Sequence, residues 1–374
     1  MTIQALRTHV LACPEPNDFG NTRYTLLLEM RTLEGIRAWG EAITLWPEAA
    51  HAVASLINSG LGDTVCGMDE REPEAVWLKL KTHTWWYGEG GLASMAISAI
   101  DMACWDAAAQ NADLPLYALL GGRAHQSLPA LASMHVNRAT HEEGAEEVAG
   151  HIRSGFKGAK LGFAKRGLSR VGPDPVVNLA YLKAVRDACG PDASLMVDIG
   201  NGVRWDAATA IRATDLFAEV GIDWIEEPLH PDDLEGLAQL RRHTATRIAT
   251  GEREWTVEGY RRLIATGLVD VVGVDPARAE GVTGFRKIAA IAEAARVTVN
   301  AHAWSSAILT AASLHLSLST RCARWFELKP LPSPLQHELV REPIWHVKGE
   351  VFAGNRPGLG IEIVDAALNR YKHQ

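Results

Sequence analysis

Cysteine is scarce in this chain and follows no pattern. The five residues, Cys13, Cys66, Cys104, Cys189 and Cys322, are odd in number and include no C-x-x-C pair. That argues against a zinc site or a disulfide framework and for a reducing compartment. Runs of like charge are missing too. The 374 residues carry 37 Lys and Arg against 45 Asp and Glu, for a net charge of −8. With no basic cluster, a nucleic-acid partner or an acidic membrane surface is not expected, and an anionic small molecule would have to find its cations locally. No apolar run approaches the roughly 18 residues needed to span a bilayer. The N-terminus "MTIQALRTHVLACPEP" has neither the basic start nor the apolar core of a signal peptide. The expected setting is therefore soluble and cytoplasmic. What is present is ordinary globular composition, 47% hydrophobic and 22% charged. The length suffices for two domains, or for one barrel with additions.

Residues 1–125 read as an α+β domain. "RYTLLLEMRT" (23–32) and "RAWGEAI" (37–43) are strand patterns separated by the turn signal "LEG". "AISAIDMACWDAAAQNA" (96–112) carries apolar residues at helical spacing. Residues 126–330 follow another rhythm. Eight short apolar runs, "LPALASM", "GAKLGF", "SLMVDIG", "DWIEEP", "RIATGE", "VVGVD", "VTVNAH" and "ARWFE", alternate with amphipathic stretches. Several of those stretches begin after Asp, Ser or Thr and stop at Gly, as helix caps require. Eight strands alternating with helices imply a parallel sheet, most naturally closed into a (β/α)8 barrel. Residues 331–374 have no barrel partner left and are expected to return to the first domain.

Seven of the eight runs end in an ionisable group: Lys160, Asp198, Glu226, Glu252, Asp275, His302 and Glu327. Their intervals are 38, 28, 26, 23, 27 and 25 residues, about one βα unit each. In a barrel, all C-terminal strand ends face one mouth, where active sites lie. Asp198, Glu226 and Glu252 end consecutive strands. Three bare carboxylates in one pocket repel one another, and a hard divalent cation removes the conflict, so the trio suits octahedral Mg²⁺. Asp275 and His302 end neighbouring strands, and a carboxylate beside an imidazole fixes its tautomer and makes it a better base. Alone, His302 reads as a packed core histidine; within this constellation it reads as catalytic. Lys160 suits either a base or a cation for a substrate carboxylate. Glu327 is either a protonated hydrogen-bond donor or a structural partner. Together the set suggests removal of a proton next to a carboxylate, with the resulting enediolate stabilised by the metal.

At these residues the chain resembles the enolase superfamily, mandelate racemase subgroup, over essentially its whole length. "AISAIDMACWD" resembles a cap-domain helix of that family. "LMVDIGNG", "WIEEP" and "TGE" resemble its three metal-ligand segments, at Asp198, Glu226 and Glu252. "DPARAEGVTGF" resembles the stretch of the dyad aspartate, hence Asp275 rather than Asp270. "NAHAW" places the dyad histidine at His302, and "FELKPLPSPLQHEL" resembles the last-strand segment. The resemblance implies an α+β cap over a modified (β/α)7β barrel without an eighth helix, and Mg²⁺-assisted proton abstraction. The chain also departs from the pattern. Gly162 stands where members often carry a second lysine, with Lys157 before the strand and Lys165 beyond it. Asn201 comes one place later than in the usual D-x-N, and Glu280 replaces a frequent glycine.

The resemblance implies that specificity comes from cap loops, here 13–22 and 45–50, with 82–91 nearby. Asn17, Asn21, His135, Asn137 and Trp304 are candidate substrate contacts, and Trp85 and Trp86 read as packing between domains. The expected activity is dehydration of a sugar acid, aldonate or aldarate, to a 2-keto-3-deoxy acid. His302 and Asp275 would handle the protons and Lys160 would hold the carboxylate. A racemase, epimerase or cycloisomerase with Lys160 and His302 as opposite-face bases is the alternative, and a non-catalytic binding protein is the third reading. The expected partners are a small-molecule carboxylate and, in a homo-oligomer, further copies of the chain.

Overall fold

Three antiparallel strands begin the chain: β1 (Ile3–Glu15), β2 (Asn21–Thr32) and β3 (Arg37–Leu45), in that order across the sheet. The computed structural model describes residues 2–164 and 170–373, so Lys165 lies outside the described residues. The β2–β3 turn depends on Gly35, at φ 90°, a conformation that glycine adopts at little steric cost. The sequence pattern does not announce β1, because Arg7, Thr8 and Pro14 dilute it. Pro14 is tolerated because β1 is an edge strand. Its outer edge is covered by the end of the chain, where Ala12 N–H donates to the Tyr371 carbonyl and His373 N–H to the Val10 carbonyl, both at 2.8 Å.

The helix Gly91–Asn111 lies on this sheet. Its close approach requires Gly40, where an added Cβ would stand 1.9 Å from the Ala99 carbonyl oxygen. By length and average composition alone this helix is long and apolar enough for a membrane span, contrary to the expectation that no segment would qualify. Asp101 and Asp106 interrupt the apolar run without lowering the average enough. Here 94% of its most apolar stretch is buried in protein.

The second body is a ring of eight parallel strands: β4 (Leu128–His135), β5 (Gly158–Gly162), β6 (Ser194–Asp198), β7 (Trp224–Glu226), β8 (Arg247–Thr250), β9 (Val271–Val274), β10 (Thr298–Ala301) and β11 (Phe326–Leu328). β4 to β10 pair in sequence order, and β11 pairs with β4. Between β10 and β11 the ring closes through a single bridge, Val299 to Ala323. Among the described residues, one long helix follows each strand from β4 to β10, with an extra short turn at Gly200–Val203 after β6; β11 is followed by short helical segments, Pro334–Glu338 and Asp365–Arg370, and by no long helix. The architecture is the (β/α)7β barrel. Leu131, Met196, Trp224, Ala249 and Val271 form a separate buried cluster from five strands of the ring. β12 (Glu350–Val351) pairs antiparallel with β4.

Six of the seven barrel helices start with a side-chain cap from Thr140, Asp174, Asp206, Asp233, Thr256 or Ser306. The exception, Gly281–Ala294, has its N-terminus satisfied by the first domain. Ser98 Oγ accepts from Gly281 N–H at 3.1 Å, and Asp101 accepts from the Thr283 N–H and hydroxyl at 2.9 and 2.6 Å. Glu41 of β3 likewise accepts from Leu309 N–H at 2.9 Å and Ser306 N–H at 3.2 Å. Buried carboxylates of the cap thus complete helix ends of the barrel. This sets the sheet over the strand ends.

Candidate functional site

The cavity between cap and barrel measures about 800 Å³. Lys160, Asp198, Glu252, Asp275 and His302 line it from the barrel; Asp18, Asn21, Arg23 and Trp46 line it from the cap. The parallel ladder explains the barrel half. Gly162 pairs with Asp198 and Asp198 with Glu226, so consecutive strand ends stand side by side. Glu252 follows Gly251, whose φ of 118° turns the chain out of β8 as few side-chain-bearing residues could.

Lys160 is buried. Its Nζ lies 2.9 Å from Glu327, 3.1 Å from Glu226 and 3.9 Å from Asp198. Burial alone would lower its pKa, but the charges of Glu226, Glu327, Asp198 and Glu252 raise it well above the ordinary value. One ammonium faces four carboxylates, so the acids are not all compensated. Burial, and then the charge of Glu226, push Asp198 well above the usual carboxylate range against the pull of Lys160. Glu226 is also raised, by burial and then by Glu327 and Glu252, although Lys160 opposes it. Its second oxygen accepts from the Trp224 indole at 3.2 Å. Glu327 goes the other way. Burial would raise it, but Lys160, His302 and the Asn300 amide hold it below the ordinary value. Its Oε1 accepts from the Asn300 amide at 2.5 Å and meets the Lys160 ammonium at 2.9 Å.

His302 Nδ1 stands 2.6 Å from Asp275 Oδ2, and the other Asp275 oxygen accepts from Ala277 N–H at 2.8 Å. With Asp275 accepting, the Nδ1–H tautomer is fixed and Nε2 faces the cavity, 3.8 Å from Glu252. Burial would depress the imidazole, but the Asp275 hydrogen bond and charge, then Glu252 and Glu327, raise its pKa.

Not every expected contact reaches this cavity. Asn17 is turned away from it: its amide donates to Glu15 and to the Leu331 carbonyl, both at 2.8 Å, and accepts from Leu331 N–H. It serves to tie the 13–22 loop to the chain beyond β11. Trp85 and Trp86 do not pack between domains; they are 63% and 80% exposed. Asn137 lines a smaller adjoining cavity, and His135 lines both. Asn21 and Trp304 line the main cavity as expected. Gly162 leaves no open space, because a Cβ there would meet His135 Nδ1 at 2.7 Å. Glu280 sits in the left-handed region at φ 63°, held by Lys81 at 2.6 Å.

Pattern reading missed three groups of the mouth. Glu227, at φ 43°, is buried beside Glu226 and pairs with Arg253 at 3.2 Å. Burial, then the charge of Glu252, push its carboxyl up to about 8. Arg253 directly follows Glu252, a position that could have flagged it. Arg23 stands inside an ordinary strand pattern that gives no such signal.

Among the described residues no three acidic, imidazole or thiol groups stand together as a ready ligand set, and the Lys160 ammonium stands among the strand-end carboxylates. The donor chemistry nonetheless fits a hard divalent cation. Asp198, Glu226 and Glu252 offer only oxygen, and their mutual repulsion is what such a cation relieves.

A parallel barrel with an acidic mouth under an α+β cap defines a class, and sequence comparison agrees. Residues 18–121 match the mandelate racemase / muconate lactonizing enzyme N-terminal domain, and residues 143–367 match the enolase C-terminal domain-like family. The chain belongs to the enolase superfamily, in its mandelate racemase branch. It is 30% identical to D-galactarolactone cycloisomerase of Agrobacterium fabrum, over 100% of this chain and 99% of that one. It is 28% identical to a D-galactonate dehydratase family member of Streptomyces bingchenggensis, over 94% and 90%. Among solved structures, the 3,6-anhydro-D-galactonate cycloisomerase from Zobellia galactanivorans superposes with a TM-score of 0.90, at 27% identity and full coverage of both chains. A racemase from Streptomyces coelicolor with bound magnesium gives 0.88, at 26% identity over 99% and 100%. Sugar-acid dehydratases and cycloisomerases recur among the relatives. The protein is an enzyme of this superfamily.

Proposed function

We propose that the enzyme is an Mg²⁺-dependent dehydratase of a sugar acid. The observation that carries this is the His302–Asp275 pair, an imidazole oriented by a carboxylate, with Nε2 aimed into a cavity whose opposite cation is locked. His302 takes the proton alpha to the substrate carboxylate. The C–H electron pair moves into an enediolate and then expels the 3-hydroxyl. The same imidazolium gives its proton to that leaving group, so water departs and the enol tautomerises to a 2-keto-3-deoxy acid. Lys160, kept as an ammonium by Glu226 and Glu327, serves as a cation for the carboxylate rather than as a base. A Mg²⁺ held by Asp198, Glu226 and Glu252 would supply Lewis-acid stabilisation of the charge that develops on that carboxylate.

A second reading is supported by the 30% identity to a cycloisomerase. If the leaving oxygen belongs to a ring of the substrate, the same elimination opens the ring and leaves the formula unchanged. The test is incubation of the Mg²⁺-loaded enzyme with linear and lactonised sugar acids, with products weighed by mass spectrometry. Loss of one water and appearance of a 2-keto acid is the expected result. A product of unchanged mass from a cyclic substrate would transfer the assignment to cycloisomerase. In D₂O, recovered substrate deuterated and inverted at carbon 2, without 2-keto acid, would overturn elimination and make Lys160 a second base.

A further inference from the structure

Arg23 is a cation built into the wall of the catalytic cavity with little to hold it. It lies on β2, opposite Cys13, and lines the cavity while only 5% exposed. Its guanidinium carbon sits 5.2 Å from the centre of the Trp304 ring. The nearest ionic contact runs from Nη2 to Asp18 Oδ2, at 3.8 Å beyond hydrogen-bond range. Among the described residues no hydrogen bond joins any of its five N–H donors. The other acids close to it are engaged elsewhere. Glu15 binds Lys329 and Asn17, and Glu41 binds Ser306, Leu309 and Thr25. A buried guanidinium without hydrogen-bonded partners is costly unless something else supplies them. The open supplier here is the cavity.

We infer that Arg23 binds a second carboxylate of the substrate, at the end remote from the reacting one, so that the enzyme takes a sugar diacid rather than a monoacid. The planar fork of arginine matches a carboxylate with two parallel N–H···O bonds, and the Trp304 ring stands beside it. Charge selects a carboxylate over a phosphate. Arg23 and Lys329 already face Glu15, Asp18 and Glu41, so this corner tolerates one further negative charge better than two. The reacting carboxylate stays at Lys160 and the strand-end acids, which places the two carboxylates at the barrel and cap sides of one cavity. This rests on the proposed use of the cavity for a sugar acid, but not on which bond is then broken.

The experiment measures binding and not turnover. Mg²⁺-loaded His302→Asn protein, unable to consume ligand, is titrated calorimetrically with galactaric and glucaric acids and with galactonic and gluconic acids. The diacids are expected to bind about 10- to 100-fold more tightly, the span of a charge-assisted hydrogen-bond pair. Arg23→Met should collapse that ratio toward one, and Arg23→Lys should restore part of it. The inference is overturned if monoacids bind unmodified Arg23 as tightly as diacids, if Arg23→Met leaves the ratio standing, or if a 6-phosphorylated monoacid binds best. Failure of every diacid to bind also overturns it. Because the comparison between ligands is made first with Arg23 intact, misfolding of a variant does not decide the matter. Diacid binding without dehydration by the unaltered enzyme would instead refute the dehydratase reading and leave Arg23's role intact.

Discussion

Replacing Lys160 with methionine keeps the stem of the side chain and deletes its charge. The ammonium is 5% exposed and reaches two buried carboxylates within 3.1 Å, Glu226 and Glu327, with Asp198 at 3.9 Å. Removing one partner of such a group leaves uncompensated buried charge, which costs about 3–5 kcal/mol. For 374 residues the unfolding entropy is roughly 0.8 kcal/mol/K, so melting should fall by about 4–6 °C if the chain unfolds as one unit. The assay is differential scanning calorimetry at pH 8 in excess chelator. At pH 5 the loss should shrink, because carboxylates relieved of Lys160 take up protons more readily in the folded state. Mg²⁺ should restore more stability to Lys160→Met than it adds to the unaltered protein, since the variant's Asp198, Glu226 and Glu327 have lost the ammonium that they share. An unchanged melting temperature in chelator would refute the reasoning, for it would mean that the strand-end acids do not depend on a cation at all.

His302→Asn should lower kcat by at least ~10²-fold with the fold intact, and Asp275→Asn should also lose activity by releasing the Nδ1–H tautomer; stopped-flow or coupled 2-keto-acid assays decide, and undiminished kcat in His302→Asn would return that residue to the core. Glu226→Gln and Glu252→Gln should each weaken Mg²⁺ binding by at least about tenfold, roughly 1.4 kcal/mol, read by calorimetric titration; undisturbed affinity would remove them from the ligand set. Asp101 is a separate, structural case. Burial raises its carboxyl to about 7, so the folded state holds that proton more tightly than the unfolded one, and its contribution to stability falls as pH rises from about 4 to 7. Asp101→Asn should flatten the pH dependence of melting between pH 5 and 8, and an unaltered slope would show that the carboxyl is ionised throughout.

Much of the barrel site was legible in the chain. Spacings of 23 to 38 residues between polar strand ends, read with alternating helical stretches, are enough to bring Lys160, Asp198, Glu226, Glu252, Asp275, His302 and Glu327 to one mouth. The reason is local and repetitive, because each βα unit returns the chain in the same direction and every strand ends on the same side. What those groups do to one another was not legible. Glu327 meets the Lys160 ammonium at 2.9 Å although Lys160 lies 167 positions earlier, a pairing that no local pattern announces. The cap half depended on tertiary structure almost entirely. Asn17 and Arg23 lie six residues apart, and polarity alone favours the asparagine as a ligand contact. Leu331, 314 positions away, claims the amide of Asn17, while β2 carries Arg23 into the cavity against Trp304. Periodicity within a strand says which residues share a face. It does not say what that face will meet, which is decided when Glu41 and Asp101 dock the cap onto the helix ends of the barrel.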